Sequence, residues 1–326
     1  MSNVTVVNKK KDKIRVALIG HGHLGQFHAQ KVNQIENTQL TVVVDSNAKA
    51  LESASNLYPD ITTSKNLSNV LDLFDAALIV VPTQFHAPFI SQLMKANKHI
   101  FCEKPICATL EELDTLIELK GHTDPSLVFM AGHSERIHQG PHTNKKAQPL
   151  LETTQVIQIQ RLAPFKARAT DVEVVSDLMI HDLDLLYYIF NELPQKVFAF
   201  GNKWPTDKWD YVNCTLFFPS GRIAHIVTHR GHTLEKRSWE FFSPMGMIQW
   251  DLKNRVYQIY EDPKKLSLVD QVNYATQDHL RVEQNYFIQS IREKKPSFVT
   301  FEEGATIVKI IHKIIESINT QQICEI

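Results

Sequence analysis

The chain has 326 residues, of which 43% are apolar and 22% charged, and its net charge is −1. The balance of 35 basic against 36 acidic residues excludes the basic excess typical of nucleic-acid-binding proteins, and no apolar run is long enough to span a membrane. The polar N-terminus lacks the apolar segment of a signal peptide, and the four cysteines form no CxxC pair. We therefore expect a cytoplasmic, globular protein, and the length predicts two domains.

Strand and helix patterns alternate over residues 1–131. Apolar, β-branched runs predict strands at Ile14–Ile19, Leu40–Val44, Ala76–Val81, Ile100–Glu103 and Leu127–Ala131. Helical spacing follows the first strand and recurs around residues 67–74, and Thr109 with Glu112 forms a capping box before another helix. Strands separated by helices are typical of a Rossmann domain, an α/β fold with a doubly wound parallel sheet.

Residues 132–326 predict a second domain of a different, α+β class. A polar, His-rich connector covers residues 132–146, a helix runs from about Val172 to Phe190, and two helical stretches end the chain. Short strand patterns fill the remainder, at Val156–Arg161, Val197–Gly201, Tyr211–Phe218, Ile223–His229, Trp239–Phe242, Met247–Asp251 and Val256–Glu261. Because turn signals rather than helices separate most of these strands, they predict an open, mainly antiparallel sheet.

A glycine cluster lies between the first predicted strand and its helix. Glycine is scarce, at 11 of 326 residues, which is about half its usual share near 7%. A G-x-G-x-x-G motif is nevertheless formed by Gly20, His21, Gly22, His23, Leu24 and Gly25. Such glycines permit a tight turn and let a pyrophosphate approach the helix N-terminus. Asp45 lies 20 residues after Gly25, where a carboxylate binds the adenosine ribose, and no arginine adjoins it. The motif therefore predicts NAD rather than NADP as the cofactor.

Two further loops follow strands of the same predicted sheet, at the carboxyl ends where open α/β sheets bind ligands. The first loop predicts three cofactor contacts, at Pro82, Thr83 and His86, although the same residues also suit an ordinary helix start. The second loop is Glu103-Lys104-Pro105, in which an acid and an amine emerge into the crevice. We expect Glu103 and Lys104 to lie at the cofactor and Lys104 to reach a substrate hydroxyl, with the proline directing it, through a cis bond if one forms.

The helix of the second domain carries a polar row. Asp177, His181 and Asp184 are spaced four and three residues apart, so they share one face of a helix. A carboxylate that orients a histidine is the usual arrangement of a general base, with a solvated charged face as the plain alternative. No further clustered His or Cys supports a metal site. Candidate contacts for a phosphorylated substrate, or else members of a solvated basic loop, are Arg136, Arg161 and Arg168.

These motifs, in this order, resemble the Gfo/Idh/MocA family of nicotinamide-dependent sugar and polyol dehydrogenases. The resemblance runs the full chain and includes His28 after the glycines, the P-T-x-x-H loop, E-K-P and the D-x-x-x-H helix. It implies an N-terminal Rossmann domain and a C-terminal open sheet whose outer face makes homodimers or homotetramers. It also implies catalytic roles for Lys104, Asp177 and His181, with either Lys104 or His181 as the proton acceptor.

A finer resemblance concerns the substrate. The strings that begin at Gly132, Arg161 and Asp171 are similar to those of a bacterial subgroup that includes UDP-N-acetylglucosamine 3-dehydrogenases. This implies oxidation of a secondary sugar hydroxyl, at C3 of a UDP-N-acetyl amino sugar, with hydride transfer to NAD. Members of that subgroup commonly continue the first string with Phe-Asn-Pro, where this chain has Ile137-His138-Gln139. A dehydrogenase or reductase for a free polyol, an inositol or another small carbonyl substrate therefore stays open as the alternative.

A protein that binds a nucleotide without catalysis is the alternative from a different class. It would keep the glycine motif and Asp45 but would have no reason to keep the second domain's residues. The joint presence of Lys104, Asp177 and His181 favours an enzyme over this sensor.

Overall fold

The computed structural model describes residues 13–166 and 172–326, which form two compact units. One unit holds the described residues up to Gly132 together with Leu280–Phe301, and the other holds His133–His279 with Glu302–Ile326. The predicted change of domain after residue 131 falls beside the first division. The predicted second domain, 132–326, differs from the observed units because residues 280–301 pack with the Rossmann sheet. No described helix is long and apolar enough to cross a membrane.

The first unit contains a six-stranded parallel sheet. Its strands are β1 Ile14–Ile19, β2 Thr38–Val44, β3 Thr62–Ser64, β4 Ala76–Ile79, β5 His99–Glu103 and β6 Phe129–Gly132. They lie in the order β3-β2-β1-β4-β5-β6, which is the order of the dinucleotide-binding Rossmann fold. The direction of winding reverses between β1 and β4, so a crevice for a ligand opens at the carboxyl ends of these two strands. The predicted doubly wound sheet is confirmed, and β3 is a strand that the sequence pattern did not indicate.

Four helices connect these strands: α1 His23–Val32, α2 Ala48–Leu57, α3 His86–Lys95 and α4 Leu110–Gly121. The predicted capping box is present at α4, where the side chain of Thr109 accepts a hydrogen bond from the Glu112 N–H, and the Glu112 carboxylate accepts from Thr109. The helical pattern around residues 67–74 forms two short 3-10 turns instead of an α-helix.

The second unit contains a nine-stranded sheet. Its strands are β7 Val156–Leu162, β8 Lys196–Asn202, β9 Tyr211–Phe217, β10 Ile223–His229, β11 Lys236–Ser243, β12 Gly246–Asp251, β13 Val256–Glu261, β14 Ser267–Asn273 and β15 Cys324–Glu325. Their order is β14-β13-β12-β11-β7-β10-β9-β8-β15. The neighbours β7 and β10 are parallel, and the other pairs of described strands are antiparallel. The predicted, mainly antiparallel sheet is therefore confirmed.

The remaining helices are α5 Gln148–Glu152, α6 Ile180–Phe190, α7 His279–Glu293 and α8 Phe301–Thr320. One face of the nine-stranded sheet is buried against α6 and α8, where Val212, Ile226 and Ile311 belong to a single apolar cluster. Burial alternates along β9 and β10, as expected for a sheet with one covered face. The outer face carries the half-buried residues of the same strands.

Most of α7 packs in the first unit, although it follows the strands of the second along the chain. Phe287 and Ile288 are buried in the same cluster as Val16 and Leu18 of β1. The ring of Phe287 lies 6.0 Å from that of Phe101 on β5, measured between centroids. This helix therefore covers the Rossmann sheet with residues that lie far away in the sequence.

Candidate active site

The glycine motif joins β1 to α1 through backbone contacts that exclude side chains at two positions. Gly20 has a φ of +95°, and an added Cβ would lie 2.3 Å from the carbonyl oxygen of Val80. An added Cβ on Gly25 would lie 2.0 Å from the carbonyl oxygen of Gly20. At Gly22 an added Cβ would meet nothing within 4 Å, so this glycine faces open space. Because the N–H groups of a first helical turn have no partner within the helix, the open space in front of α1 fits a pyrophosphate.

Asp45 lies immediately after β2 and is hydrogen-bonded to the glycine motif. Its Oδ2 accepts from the His21 N–H at 2.7 Å, and its Oδ1 accepts from the Asn47 N–H at 2.8 Å. The imidazole of His21 is buried behind the motif, with Nδ1 at 3.1 Å from the carbonyl oxygen of Ala50, and burial lowers its pKa. His21 thus supports the loop, whereas His23 and Leu24 begin α1 with exposed side chains.

The loop after β4 is tied to the Glu103-Lys104-Pro105 loop by His86. The His86 ring is buried, with Nδ1 at 2.7 Å from the carbonyl oxygen of Pro105 and Nε2 at 2.8 Å from that of Val81. Burial lowers the pKa of this histidine. Since both ring nitrogens face backbone carbonyls, His86 holds the two loops together and does not present its ring to a cofactor. Pro82 is exposed and Thr83 half-buried in the same loop, so both are accessible to a ligand.

Glu103 ends β5 and Lys104 follows it, at the same edge of the sheet as the glycine motif. The peptide bond between Lys104 and Pro105 is cis. The Oε1 of Glu103 lies 3.0 Å from Nε2 of His28, a fully buried residue of α1. Burial acts to raise the pKa of Glu103, but His28 and Lys104 hold it below its ordinary value. Glu103 is therefore a carboxylate turned towards α1, where the sequence indicated a cofactor contact.

Asp177 lies in a π-helical turn, Val175–Met179, which leads directly into α6. The sequence predicted one continuous helix here, and π-turns are rare elements that occur frequently at functional sites. Asp177 and His181 are both half-buried and lie on either side of the junction. Asp184, the third member of the predicted polar row, is fully buried. The row is thus divided into an accessible pair and a buried carboxylate.

Asp184 is held by Arg136 in a buried ion pair. The Nε and one terminal nitrogen of Arg136 donate to the carboxylate of Asp184 at 2.9 and 2.6 Å, and the other terminal nitrogen donates to Glu303 at 2.7 Å. Arg136 is 3% exposed. Its guanidinium thus pairs with two carboxylates of the same unit. Both interpretations from the sequence, a phosphate contact and a solvated residue, are therefore wrong for Arg136.

Arg161 has the same kind of role at the end of β7. Its Nε and a terminal nitrogen donate to Asp182 at 2.6 and 3.0 Å, and the indole nitrogen of Trp239 donates to the same carboxylate at 3.2 Å. Arg161 is 6% exposed, so it too is structural and is not available to a substrate phosphate. The third candidate, Arg168, lies outside the described residues.

Glu135 is a buried carboxylate that the sequence did not indicate as a site residue. Arg237 donates to it, and Nε2 of His138 lies 3.3 Å from its Oε2. Burial acts to raise the pKa of Glu135, but Arg161, His138, Arg237 and His181 hold it well below the ordinary range. An ionised carboxylate therefore acts electrostatically on the His181 imidazole. The only sign of Glu135 in the sequence was its position beside Arg136. His138, which departs from the Phe-Asn-Pro of the similar subgroup, follows three residues later.

Among the described residues, no group of three or more His, Cys, Asp and Glu side chains is arranged to hold a metal ion. The geometry of the first unit instead fits a dinucleotide, and the comparisons with known proteins agree. The family model "Oxidoreductase family, NAD-binding Rossmann fold" matches residues 14–130, and the "GFO/IDH/MocA C-terminal domain" model matches residues 158–249. The chain belongs to the Gfo/Idh/MocA family. It is accordingly an oxidoreductase with an NAD-binding Rossmann domain, and the predicted family is confirmed.

Relatives within the family act on different hydroxyl compounds. A UDP-N-acetylglucosamine 3-dehydrogenase from Acidithiobacillus ferrooxidans is 33% identical over 306 residues, which is 90% of this chain and 94% of the relative. A solved structure of that enzyme matches with a TM-score of 0.84 at 29% identity, over 94% of this chain and 98% of the other. An inositol 2-dehydrogenase from Rhizobium meliloti is 28% identical over 68% of this chain and 70% of its own length.

The fold is also shared with a more distant protein. A scyllo-inositol dehydrogenase from Lactobacillus casei, solved with NAD(H) and scyllo-inositol bound, matches with a TM-score of 0.80 at 18% identity, over 96% of this chain and 99% of the other. At this identity the match concerns the fold alone.

The buried position of Arg136 generates a prediction that separates a structural role from a substrate contact. We expect Arg136→Leu to lower the free energy of unfolding by about 3–5 kcal/mol, because it leaves the carboxylate of Asp184 buried without its cation. The measurement is urea unfolding in the absence of any substrate. The double variant Arg136→Leu with Asp184→Leu is the control, and it should recover most of the loss. If the single variant is as stable as wild type but has a raised KM, Arg136 contacts the substrate phosphate after all.

Proposed function

We propose that the chain is an NAD-dependent dehydrogenase that oxidises the C3 hydroxyl of a UDP-N-acetyl amino sugar. The observation that carries the proposal is the 33% identity with a UDP-N-acetylglucosamine 3-dehydrogenase over 90% of this chain. The inositol 2-dehydrogenase relative supports the second candidate, a free polyol substrate, but its similarity covers 68% of this chain. Because Arg136 and Arg161 are engaged in buried ion pairs, a diphosphate needs other partners than those the sequence indicated.

NAD rather than NADP is proposed because of Asp45. Its carboxylate lies beside the glycine motif, held by the N–H groups of His21 and Asn47. A carboxylate in this position accepts hydrogen bonds from ribose hydroxyls and repels the additional phosphate of NADP. Glycine positions 20, 22 and 25 would admit the pyrophosphate at the N-terminus of α1.

In the proposed mechanism, His181 takes the proton of the substrate hydroxyl and Asp177 orients its ring. A bound nicotinamide would supply the hydride acceptor for the carbon that carries this hydroxyl. Lys104 donates a hydrogen bond to the hydroxyl oxygen and stabilises the negative charge that develops there. We favour His181 over Lys104 as the proton acceptor because the ionised Glu135 acts on its ring. A nearby negative charge stabilises the imidazolium that proton transfer creates.

We further propose that a second copy of the chain covers the outer face of the nine-stranded sheet. Phe198 and Phe200 of β8 point to this face and are 38% and 50% exposed. Contiguous exposed apolar surface of this kind marks protein–protein contacts. Light scattering should give a mass of two or four chains, and Phe200→Asp should lower it. Leu57→Asp, at an exposed leucine of α2, is the control and should leave the mass unchanged. A wild-type monomer would contradict this assembly.

The substrate proposal is tested with the purified protein and NAD, after any copurified nucleotide has been measured. We expect reduction of NAD with UDP-N-acetylglucosamine and none with myo-inositol, both followed by nicotinamide absorbance. If no UDP-sugar leads to reduction of NAD but a free polyol is oxidised, the proposed substrate is overturned and the second candidate is favoured.

Two variants serve as controls for the site in the same assay. Lys104→Met and His181→Ala should each lower kcat by about a hundredfold or more, because each removes a group that acts on the reacting hydroxyl. The Kd for NAD should stay within about threefold of wild type, which corresponds to less than about 0.7 kcal/mol. Near-normal turnover in both variants would contradict the assignment of these residues.

A further inference from the structure

A buried chain of three polar side chains lies behind the Glu103-Lys104-Pro105 loop in the first unit. Glu103 is the last residue of β5, His28 lies in α1, and Gln284 lies in α7. His28 is 0% and Gln284 1% exposed. These residues come from three distant parts of the sequence, and the mechanism described above uses neither His28 nor Gln284.

The His28 imidazole has a partner at each of its two nitrogens. Nε2 lies 3.0 Å from Oε1 of Glu103, and Nδ1 lies 2.9 Å from the side-chain nitrogen of Gln284. A neutral imidazole carries one N–H donor and one acceptor nitrogen, and the partners decide which is which.

The Gln284 amide decides the position of the proton. Its nitrogen lies 3.3 Å from the main-chain carbonyl oxygen of His28 as well as 2.9 Å from Nδ1. A carbonyl oxygen only accepts hydrogen bonds, so the end of the amide that faces it must be the NH2 group, which only donates. Gln284 therefore donates to Nδ1, and the ring proton resides on Nε2, from which it is donated to Glu103.

We propose that Gln284 and His28 are positioning residues, which keep Glu103 ionised and turned so that a fixed negative charge lies beside Lys104. The inference rests on the proposed function, in which Lys104 acts on the substrate hydroxyl. Space for this carboxylate comes from β6, because an added Cβ on Gly132 would lie 3.3 Å from the carboxyl carbon of Glu103. Gln284 of α7, which lies near the end of the chain, thus influences the charge of Glu103 in the loop that carries Lys104.

The titratable groups around Glu103 act in opposite directions. Burial raises its pKa, while His28, Lys104 and His86 lower it. The neighbouring Cys102 is a neutral thiol, because burial raises its pKa well above the ordinary value. The His28 ring holds this carboxylate through a hydrogen bond of 3.0 Å. A weakened donor at His28 therefore moves the pKa of Glu103 upward, and protonation of Glu103 then occurs at higher pH.

The experiment compares Gln284→Met, which keeps the length of the side chain and removes the amide, with wild type. The first readout is the 15N spectrum of the histidine rings, with the His28 signal among the 15 histidines identified by its loss in His28→Gln. In wild type, His28 should show an unprotonated Nδ1 and a protonated Nε2. In Gln284→Met, both tautomers of His28 should be present. The second readout is the pH profile of kcat with NAD and UDP-N-acetylglucosamine. The loss of kcat that follows protonation of Glu103, on the acid side of this profile, should move up by about one pH unit in Gln284→Met.

The remaining expectations separate positioning from a general loss of structure. At the pH where wild type is at the midpoint of this loss, kcat of Gln284→Met should be about fivefold lower, as a shift of about one pH unit requires, while the Kd for NAD stays within about twofold. Ser290→Ala is the matched control, because it removes a buried hydrogen bond of the same helix, to the carbonyl oxygen of Pro296, without touching His28. It should leave both the ring spectrum and the pH profile unchanged.

Two results would overturn the proposal. One is a protonated Nδ1 in wild type, which requires no variant and no substrate and so stands apart from the proposed function. The other is a loss of kcat on the acid side in Gln284→Met that coincides with that of wild type. If no hydroxyl compound is oxidised at all, the proposed function fails, and the ring spectrum alone supports or overturns the position of the proton.

Discussion

The close approach of two backbone segments at Gly20 and Gly25 determines the geometry of the first unit. A Cβ on Gly25 would lie 2.0 Å from the carbonyl oxygen of Gly20, so only glycine lets α1 begin this near to β1. The same approach opens the end of the helix to a pyrophosphate. One turn further along α1, His28 then lies within hydrogen-bond distance of Glu103. The glycines therefore serve both the cofactor and the loop that carries Lys104.

In the second unit, two of the carboxylates near the start of α6 are neutralised by buried ion pairs. Asp182 and Asp184 of α6 are each buried against an arginine, Arg161 and Arg136. Each arginine neutralises a carboxylate whose burial without a partner would cost folding free energy. The π-turn before α6 leaves Asp177 and His181 half-buried and accessible. A segment rich in acidic residues thus keeps one histidine and one carboxylate partly exposed.

Local patterns predicted the elements well, and long-range partners account for what they did not predict. β1, β10 and β13 have the predicted bounds, because each strand is delimited by its own apolar run and turn. The roles of Arg136 and α7 were not predictable, since their partners are distant: Arg136 pairs with Glu303, 167 positions away, and Gln284 contacts His28, 256 positions away. Motif spacing indicated Lys104 and His181 as candidates, and the structure adds that Glu135 acts on His181 and that His28 is hydrogen-bonded to Glu103, the neighbour of Lys104.

Transfer of hydride from the sugar carbon to NAD is the step on which the proposed function depends. It is measured most directly with UDP-N-acetylglucosamine that carries deuterium at C3, unlabelled NAD and mass spectrometry of the reduced cofactor. We expect NADH that is one mass unit heavier than unlabelled NADH. When the deuterium is placed at another carbon of the sugar, the NADH should carry no label. Unlabelled NADH from the C3-deuterated sugar, or no NADH from it under conditions in which a free polyol is oxidised, would contradict this function.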